Sequence, residues 1–177
     1  MSQNLEIERK YLIRTPNVWQ LRWECSHVYS IEQTYLLQTK ENVTARVRGR
    51  SEKGLNRYFY TEKEFRTDVT CVERERELHR REYERYLQDR DPALRTIYKT
   101  RYCLPVEDLT FEIDVYPFWY GVAVMEVELT HEQQEIHFPN GIEVLCEVTH
   151  DRRLKNAALA GKVPTEAELL AEYGLGK

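Results

Sequence analysis

Residues 5–10 read Leu5-Glu6-Ile7-Glu8-Arg9-Lys10, and the alternation within those six positions decides the fold. Successive side chains of a strand point to opposite faces, so Leu5 and Ile7 share one face while Glu6, Glu8 and Lys10 share the other. The same parity recurs along the chain. Val43, Ala45 and Val47 oppose Thr44, Arg46 and Arg48. Thr61 shares a face with Lys63, Glu73 with Glu75 and Glu77, and Lys99 with Arg101. Phe111, Ile113 and Val115 oppose Glu112 and Asp114; Met125, Val127 and Leu129 oppose Glu126 and Glu128. A half-exposed antiparallel sheet commonly alternates apolar with polar residues. Here the polar positions carry full charges, and the signs segregate by strand, carboxylates on some and ammonium or guanidinium groups on others. Like charges on one face repel, so such clusters persist more easily with something of opposite sign between the strands.

Two arrangements satisfy this pattern. The charged faces all point to water, each acidic strand beside a basic one, or the sheet closes into a barrel with a charged interior and an apolar outside packed under helices. The chain supplies helices for the second. Pro16 precedes a helical pattern through Val18, Leu21 and Arg22, and residues 78–87 form another that ends near Asp91-Pro92. Residues 154–159 are a third; after Pro164, Thr165 and Glu168 make a capping box ahead of Leu169, Leu170 and Tyr173, with Gly174 ending the helix. Strands are predicted over 5–13, 29–37, 43–49, 58–63, 72–78, 97–104, 110–116, 122–130 and 142–148, with Lys53-Gly54 as a hairpin turn. A lumen lined by both signs has a natural ligand. Arg and Lys bind phosphoryl oxygens, and clustered carboxylates bind hard divalent cations that bridge phosphates. Metal-assisted phosphoryl transfer needs both.

Bulk properties narrow the field. A length of 177 residues without a composition break fits one domain. Charged residues make up 32%, yet the net charge is only −4, so the basic excess of a nucleic-acid binder is missing and no nucleic-acid partner is expected. No stretch of about 20 apolar residues predicts a membrane span, and residues 1–10 lack the apolar core of a secretory signal. Cys25, Cys71, Cys103 and Cys146 form no CxxC pair and read as reduced thiols of a cytoplasmic protein. The five histidines show no metal-ligand spacing.

Six segments taken together resemble a known family. Residues 5–10 carry an ExExK signature; Gln33-Thr34-Tyr35-Leu36 resembles a QxYL strand, Arg46-Val47-Arg48 an RxR strand, and Thr61-Glu62-Lys63 a TxK strand. Glu126-Val127-Glu128 is similar to a late ExE strand, and residues 147–153 with Asn156 and Leu159 to a closing VTxDxRYxNxxLA-like segment. In this order, over residues 5–160, they resemble the CYTH superfamily, the triphosphate tunnel metalloenzymes. The resemblance implies an α+β fold: an eight-stranded antiparallel closed β-barrel, a tunnel with a charged interior covered by surface helices. The tunnel domain would span residues 1–161, with 162–177 a C-terminal helical extension of the same domain that packs on it or serves a homodimer contact. The resemblance also implies roles. Glu6, Glu8, Glu126 and Glu128 would contribute to a site for Mg²⁺ or Mn²⁺, with Glu73, Glu75 and Asp114 as further acidic candidates. Arg46, Arg48, Lys63, Lys99 and Arg101 would hold a triphosphate. Lys10 would contact the phosphates or help position the attacking water, with Glu8 as its catalytic partner. Arg153 and Lys155 are further basic candidates near the end of the tunnel. The implied activity is metal-dependent hydrolysis of a small anionic triphosphate, inorganic triphosphate foremost.

Some residues depart from that pattern. Arg153 stands where many members have an aromatic and His150 where many have Gly. Residues 72–78 carry charge on both faces, because Arg74 and Arg76 oppose Glu73, Glu75 and Glu77, which leaves the strand's register open. The charge run over 74–90 reads as a strand end and an exposed helix with i,i+4 pairs such as Glu77–Arg81, in preference to a nucleic-acid patch. Two other functions compete. Class IV adenylyl cyclases belong to the same superfamily, but the HF-type motif they carry after the first helix is missing from residues 31–36, and no base pocket is recognisable. A non-catalytic polyphosphate-binding module would gain nothing from carboxylates facing its ligand without a metal.

Overall fold

The alternating segments all form strands. The computed structural model describes residues 2–38, 43–67 and 70–175, and the side chains from Ile7 onward. The strands are β1 (Ser2–Arg14), β2 (His27–Tyr35), β3 (Val43–Glu52), β4 (Leu55–Phe65), β5 (Thr70–Leu78), β6 (Ile97–Val106), β7 (Leu109–Val115), β8 (Val122–Leu129) and β9 (Val144–Glu147). The helices are α1 (Val18–Glu24), α2 (Arg80–Tyr86), α3 (Asn156–Gly161) and α4 (Glu166–Glu172). Neighbouring strands run in the order β5-β4-β3-β2-β6-β7-β8-β1, and β5 pairs back onto β1, so eight antiparallel strands form a closed ring. The ninth, β9, is laid on β1 outside that ring. Closure depends on a division of labour within β1: Ser2–Ile7 pair with β5, and Ile7–Arg14 pair with β8.

The register places the charged parity inside. Lys10 faces Glu126, Glu8 faces Glu128, Lys63 faces Glu73 and Arg101 faces Asp114 on adjacent strands. The open register of β5 is thereby settled. Glu73, Glu75 and Glu77 share the face of Lys63, Thr61 and Phe59, while Arg74 and Arg76 turn outward to Glu64 and Glu82. Both faces of β5 are charged because both meet opposite charge.

The apolar parity faces outward under the helices. Outward Val47 packs with Leu36, Leu78 and Tyr83, and the rings of Tyr58 and Tyr60 stack on Tyr83 and Tyr86 of α2 at 4.6 and 4.9 Å between centroids. Leu21 of α1 joins Tyr11, Ile13, Tyr102, Phe111, Ile113 and Met125 in a second cluster. The first helix is capped by Asn17, whose side chain accepts from the Trp19 backbone N–H, so Pro16 lies just outside it. On α2 the expected Glu77–Arg81 pair is replaced: Glu77 is held by Arg57 across the ladder, and the i,i+4 pair is Arg80–Glu84 at 2.8 Å. The β3–β4 hairpin turns at Lys53 and Gly54 with φ of 50° and 81°, both positive, as a two-residue turn matched to strand twist requires.

A third cluster lies at one end of the barrel, where interior positions become apolar. Leu12, Tyr35, Tyr116 and Val124 continue the parity of Lys10, Gln33, Asp114 and Glu126, yet they pack against Val148, Leu154, Leu159 and Leu169. The chain after β8 thus plugs this end. It is pinned by the Trp119 indole N–H donating to the Pro164 carbonyl at 2.9 Å, by the Gly121 N–H donating to Glu166 at 3.0 Å and by the Tyr173 hydroxyl donating to Asp151 at 2.8 Å. The Thr165–Glu168 capping box forms as the sequence predicts. The last helix is therefore part of the core. Among the described residues the four cysteines are unpaired in disulfides, and no helix is long and apolar enough to cross a membrane.

Leu169 is fully buried in the plug. Leu169→Ala is expected to lower the stability of the whole domain by about 2–5 kcal/mol. Urea unfolding followed by tryptophan fluorescence and by circular dichroism checks this; a loss below about 1 kcal/mol would mean that the plug is not part of the cooperative core.

Candidate active site

Strand parity delivers charge to a cavity of about 540 Å³ inside the barrel. Its walls include Glu8 and Lys10 from β1, Arg46 and Arg48 from β3, Lys63 from β4, Glu73 from β5, Lys99 and Arg101 from β6, and Glu126 and Glu128 from β8. Burying so many charges is tolerable only if each is paired. A continuous chain of ion pairs does this across four strands. The Lys99 ammonium donates to Asp114 at 2.5 Å, and the Arg101 guanidinium spans Asp114, Glu112 and Glu126. Glu126 in turn accepts from Lys10 at 2.8 Å, and Lys10 lies 4.0 Å from Glu8. On the other wall Arg48 donates to Glu75 at 2.7 Å, while Glu73 lies 3.0 Å from Lys63 and 3.7 Å from Arg46.

These contacts set the protonation states. Burial alone would favour a neutral Glu126, but Lys10, Arg101 and Lys99 hold its pKa well below the usual carboxylate range. Burial likewise opposes the charge on Lys10, and Glu126 and Glu8 outweigh it, so its pKa is raised. Lys99 goes the other way. Burial and the neighbouring Arg101 bring it down to about 8 despite Asp114. Arg48 is lowered by burial and by Arg46 beside it. The buried Nε–H groups of both Arg46 and Arg48 lack an acceptor among the described residues. Buried donors are seldom left unmet, so these two suit an anion between them.

The residues singled out in the sequence separate into groups. Glu8, Lys10, Arg46, Arg48, Lys63, Lys99, Arg101, Glu126 and Glu128 come together at the cavity, and Glu73 and Lys155 join them. Glu6 lies on β1 opposite Cys71; its side chain is outside the described residues. Asp114 and Glu75 stand behind the lining. Asp114 is fully buried with both oxygens engaged by Lys99 and Arg101, and Glu75 accepts from Arg48 and from the Thr61 hydroxyl at 2.9 Å. Their position makes them counter-charges that orient the cations. Arg153 is not brought to the cavity: its guanidinium is spent on Asp151 and Glu172 at the surface, where it ties α4 to the preceding turn. Tyr35, Arg50 and Glu112 also line the cavity, although no role in the site was expected of them. Parity was their signal, since Arg50 is two residues beyond Arg48 and Glu112 two before Asp114.

Counting round the ring, β3 is four strands from β8 in either direction, so Arg46 and Arg48 face Glu126 and Glu128 across the lumen. Glu8 and Glu128 are directly opposed like charges on paired strands. An anion held by β3 would therefore look across at carboxylates. No group of three or more His, Cys, Asp or Glu side chains forms a ready cage for a metal among the described residues. Mg²⁺ takes one or two carboxylates together with substrate phosphates and water, and the facing carboxylates of Glu8 and Glu128 are donors of that kind. The all-oxygen donors suit Mn²⁺ equally.

No family model and no curated protein matches the chain. Solved structures do. The chain is similar to the inorganic triphosphatase NE1496, with 28% identity over 90% of this chain and 96% of that one and a TM-score of 0.56. It shares its fold with PH1819 from Pyrococcus horikoshii OT3, at 22% identity, 72% and 80% coverage and a TM-score of 0.56. The same holds for HpAC1 from Hippeastrum, an adenylyl cyclase candidate with a dominant triphosphatase activity, at 15% identity, 71% and 80% coverage and a TM-score of 0.52.

Asp114→Asn would leave Lys99 and Arg101 as adjacent buried cations with too little opposite charge. It is expected to cost about 3–5 kcal/mol in unfolding free energy. Denaturant titration at neutral pH measures it, and a change under about 1 kcal/mol would mean that these cations are solvated in the native state.

Proposed function

We propose that the chain, similar to the inorganic triphosphatase NE1496 and consistent with the CYTH superfamily, hydrolyses a linear triphosphate, inorganic triphosphate foremost, with Mg²⁺ or Mn²⁺ taken up alongside the substrate. The observation that carries this reading is the opposition of Arg46 and Arg48 on β3 to Glu128 on β8, with Glu8 paired beside it on β1, around one cavity. Held by Glu8 and Glu128 together with substrate oxygens, the cation would neutralise phosphoryl charge and make a water more acidic. Without it, those carboxylates would repel the ligand that the arginines attract.

The chain's own residues account for the rest. Arg46 and Arg48 offer unmet Nε–H donors, and Lys63 stands beside Thr44 on the same wall. Lys99 and Arg101 approach from β6, oriented by the buried Asp114. Together these cations fix the phosphates in line and spread the charge that develops on the transferred group, which is most of what phosphoryl transfer asks of a protein. Lys10, kept protonated by Glu126 and Glu8, is placed between the acidic strands to contact a phosphate or orient the attacking water. The plug of residues 154–169 closes one end and limits bulk water there.

Release of phosphate from inorganic triphosphate, ATP and thiamine triphosphate, each with Mg²⁺, Mn²⁺ or chelator, tests this reading. Fast release that needs the metal is expected from inorganic triphosphate. Cyclic AMP formed from ATP without phosphate release from any substrate would overturn it in favour of a cyclase. Two variants separate the walls. Glu8→Gln is expected to abolish turnover with little loss of stability; full metal-dependent activity would remove Glu8 from the metal site. Arg48→Ala is expected to raise KM by about tenfold or more through loss of a charge-assisted hydrogen bond, and an unchanged KM would remove Arg48 from the phosphate site.

A further inference from the structure

Arg50 continues the row begun by Arg46 and Arg48 on the lumen face of β3. The three guanidinium groups have a direction. Arg46 pairs with Tyr35, which belongs to the apolar plug; Arg48 pairs with Gln33; Arg50 pairs with Ile31, further from the plug and nearer the β3–β4 hairpin. Steps of two residues along a strand are about 7 Å. A linear anion lying along Arg46 and Arg48 meets the plug at one end, so it can lengthen only toward Arg50.

The surroundings of Arg50 differ from those of the other two arginines. Arg46 and Arg48 each have a carboxylate within ion-pair distance, Glu73 and Glu75. Among the described residues Arg50 has no carboxylate that near; it is held between ring faces, with its guanidinium carbon 4.4 Å from the Tyr29 centroid and 4.7 Å from the Phe59 centroid. Stacking fixes the plane of a guanidinium while leaving its N–H edge free to donate. An anion arriving there displaces no existing ion pair. Arg57 is also directly opposite Arg50 on β4, a like-charge pair that an anion between them would relieve, although Glu77 already engages Arg57.

We propose that Arg50 forms an additional phosphoryl subsite, so that the cavity takes linear inorganic polyphosphates longer than three phosphates. This deepens the proposed triphosphatase reading and rests on its placing of the phosphates along β3. Tyr29 and Phe59 are positioning residues for that subsite, and chain-length preference is set at Arg50.

The test is the dissociation constant of triphosphate and of pentaphosphate for the full chain, measured by calorimetry in chelator so that no turnover intervenes. The wild type is expected to bind pentaphosphate about tenfold or more tightly than triphosphate, the yield of one charge-assisted contact. Arg50→Ala is expected to shrink that ratio to near one. Arg50→Gln, neutral and of similar length, gives the same reading if Arg50→Ala does not fold. Equal affinity of the wild type for the two chains, or a parallel loss for both in either variant, would overturn the proposal. Failure of the underlying activity looks different: no phosphate would be released from triphosphate with metal, while the Arg50-dependent preference for pentaphosphate persisted.

Discussion

The ion-pair chain from Lys99 through Asp114, Arg101 and Glu126 to Lys10 is the interaction on which the rest of the barrel depends. It crosses β6, β7, β8 and β1: the links to Asp114 also fix the register of β6 on β7, the Glu126–Lys10 link that of β8 on β1, and Arg101–Glu126 spans β7 from β6 to β8. A slip by one residue would turn every one of these charges outward and every outward aliphatic inward. Buried ion pairs are weak contributors to net stability, because desolvation offsets most of the attraction. Their effect here is to make one closed register far better than its neighbours, and to hold cations in place before any ligand arrives.

The barrel is inverted relative to most small proteins, with its apolar residues on the outside. Outward Tyr58, Tyr60 and Val47 need α2, and outward Tyr102, Ile113 and Met125 need α1. The inversion is not complete. At the plugged end the inner face becomes apolar through Leu12, Tyr35 and Val124, and the segment from β9 to α4 seals it. The cavity is thereby a polar chamber between an apolar outer shell and an apolar floor. Electrostatic interactions in such a chamber are stronger than at a surface, so the opposed arginines and carboxylates act there with little screening.

Much of this was legible in the sequence, and the reason is the period of two. One rule applied to Glu6-Glu8-Lys10, Arg46-Arg48, Lys99-Arg101 and Glu126-Glu128 gives both the fold and the cavity lining. The strands and helices appear where alternation and capping residues placed them, down to the Thr165–Glu168 box. What parity could not tell is depth and destination. Asp114 and Glu75 share the inner face with Glu126, but only the packing reveals that they stand behind the cations. Arg153 follows a motif in sequence, yet its orientation is set by Glu172, nineteen residues away on a helix whose docking leaves no periodic trace. Residues 72–78 were ambiguous because a strand charged on both faces has no inside until its neighbours are known.

The shared pairing of β1 has a bearing on how the molecule comes to exist. Its first half is joined to β5 and its second half to β8 and β9, so the earliest strand in the chain must wait for some of the latest. On a ribosome, β2 to β5 emerge as a run of hairpins, but the ring stays open until residues near 129 have been synthesised. Contacts of such long sequence separation make for slow closure. The facing pair Glu8 and Glu128 is assembled at that very seam. The complete chamber is thus a property of the finished ring, and a nascent chain with the arginines of β3 already in place still lacks the carboxylates of β8 that face them.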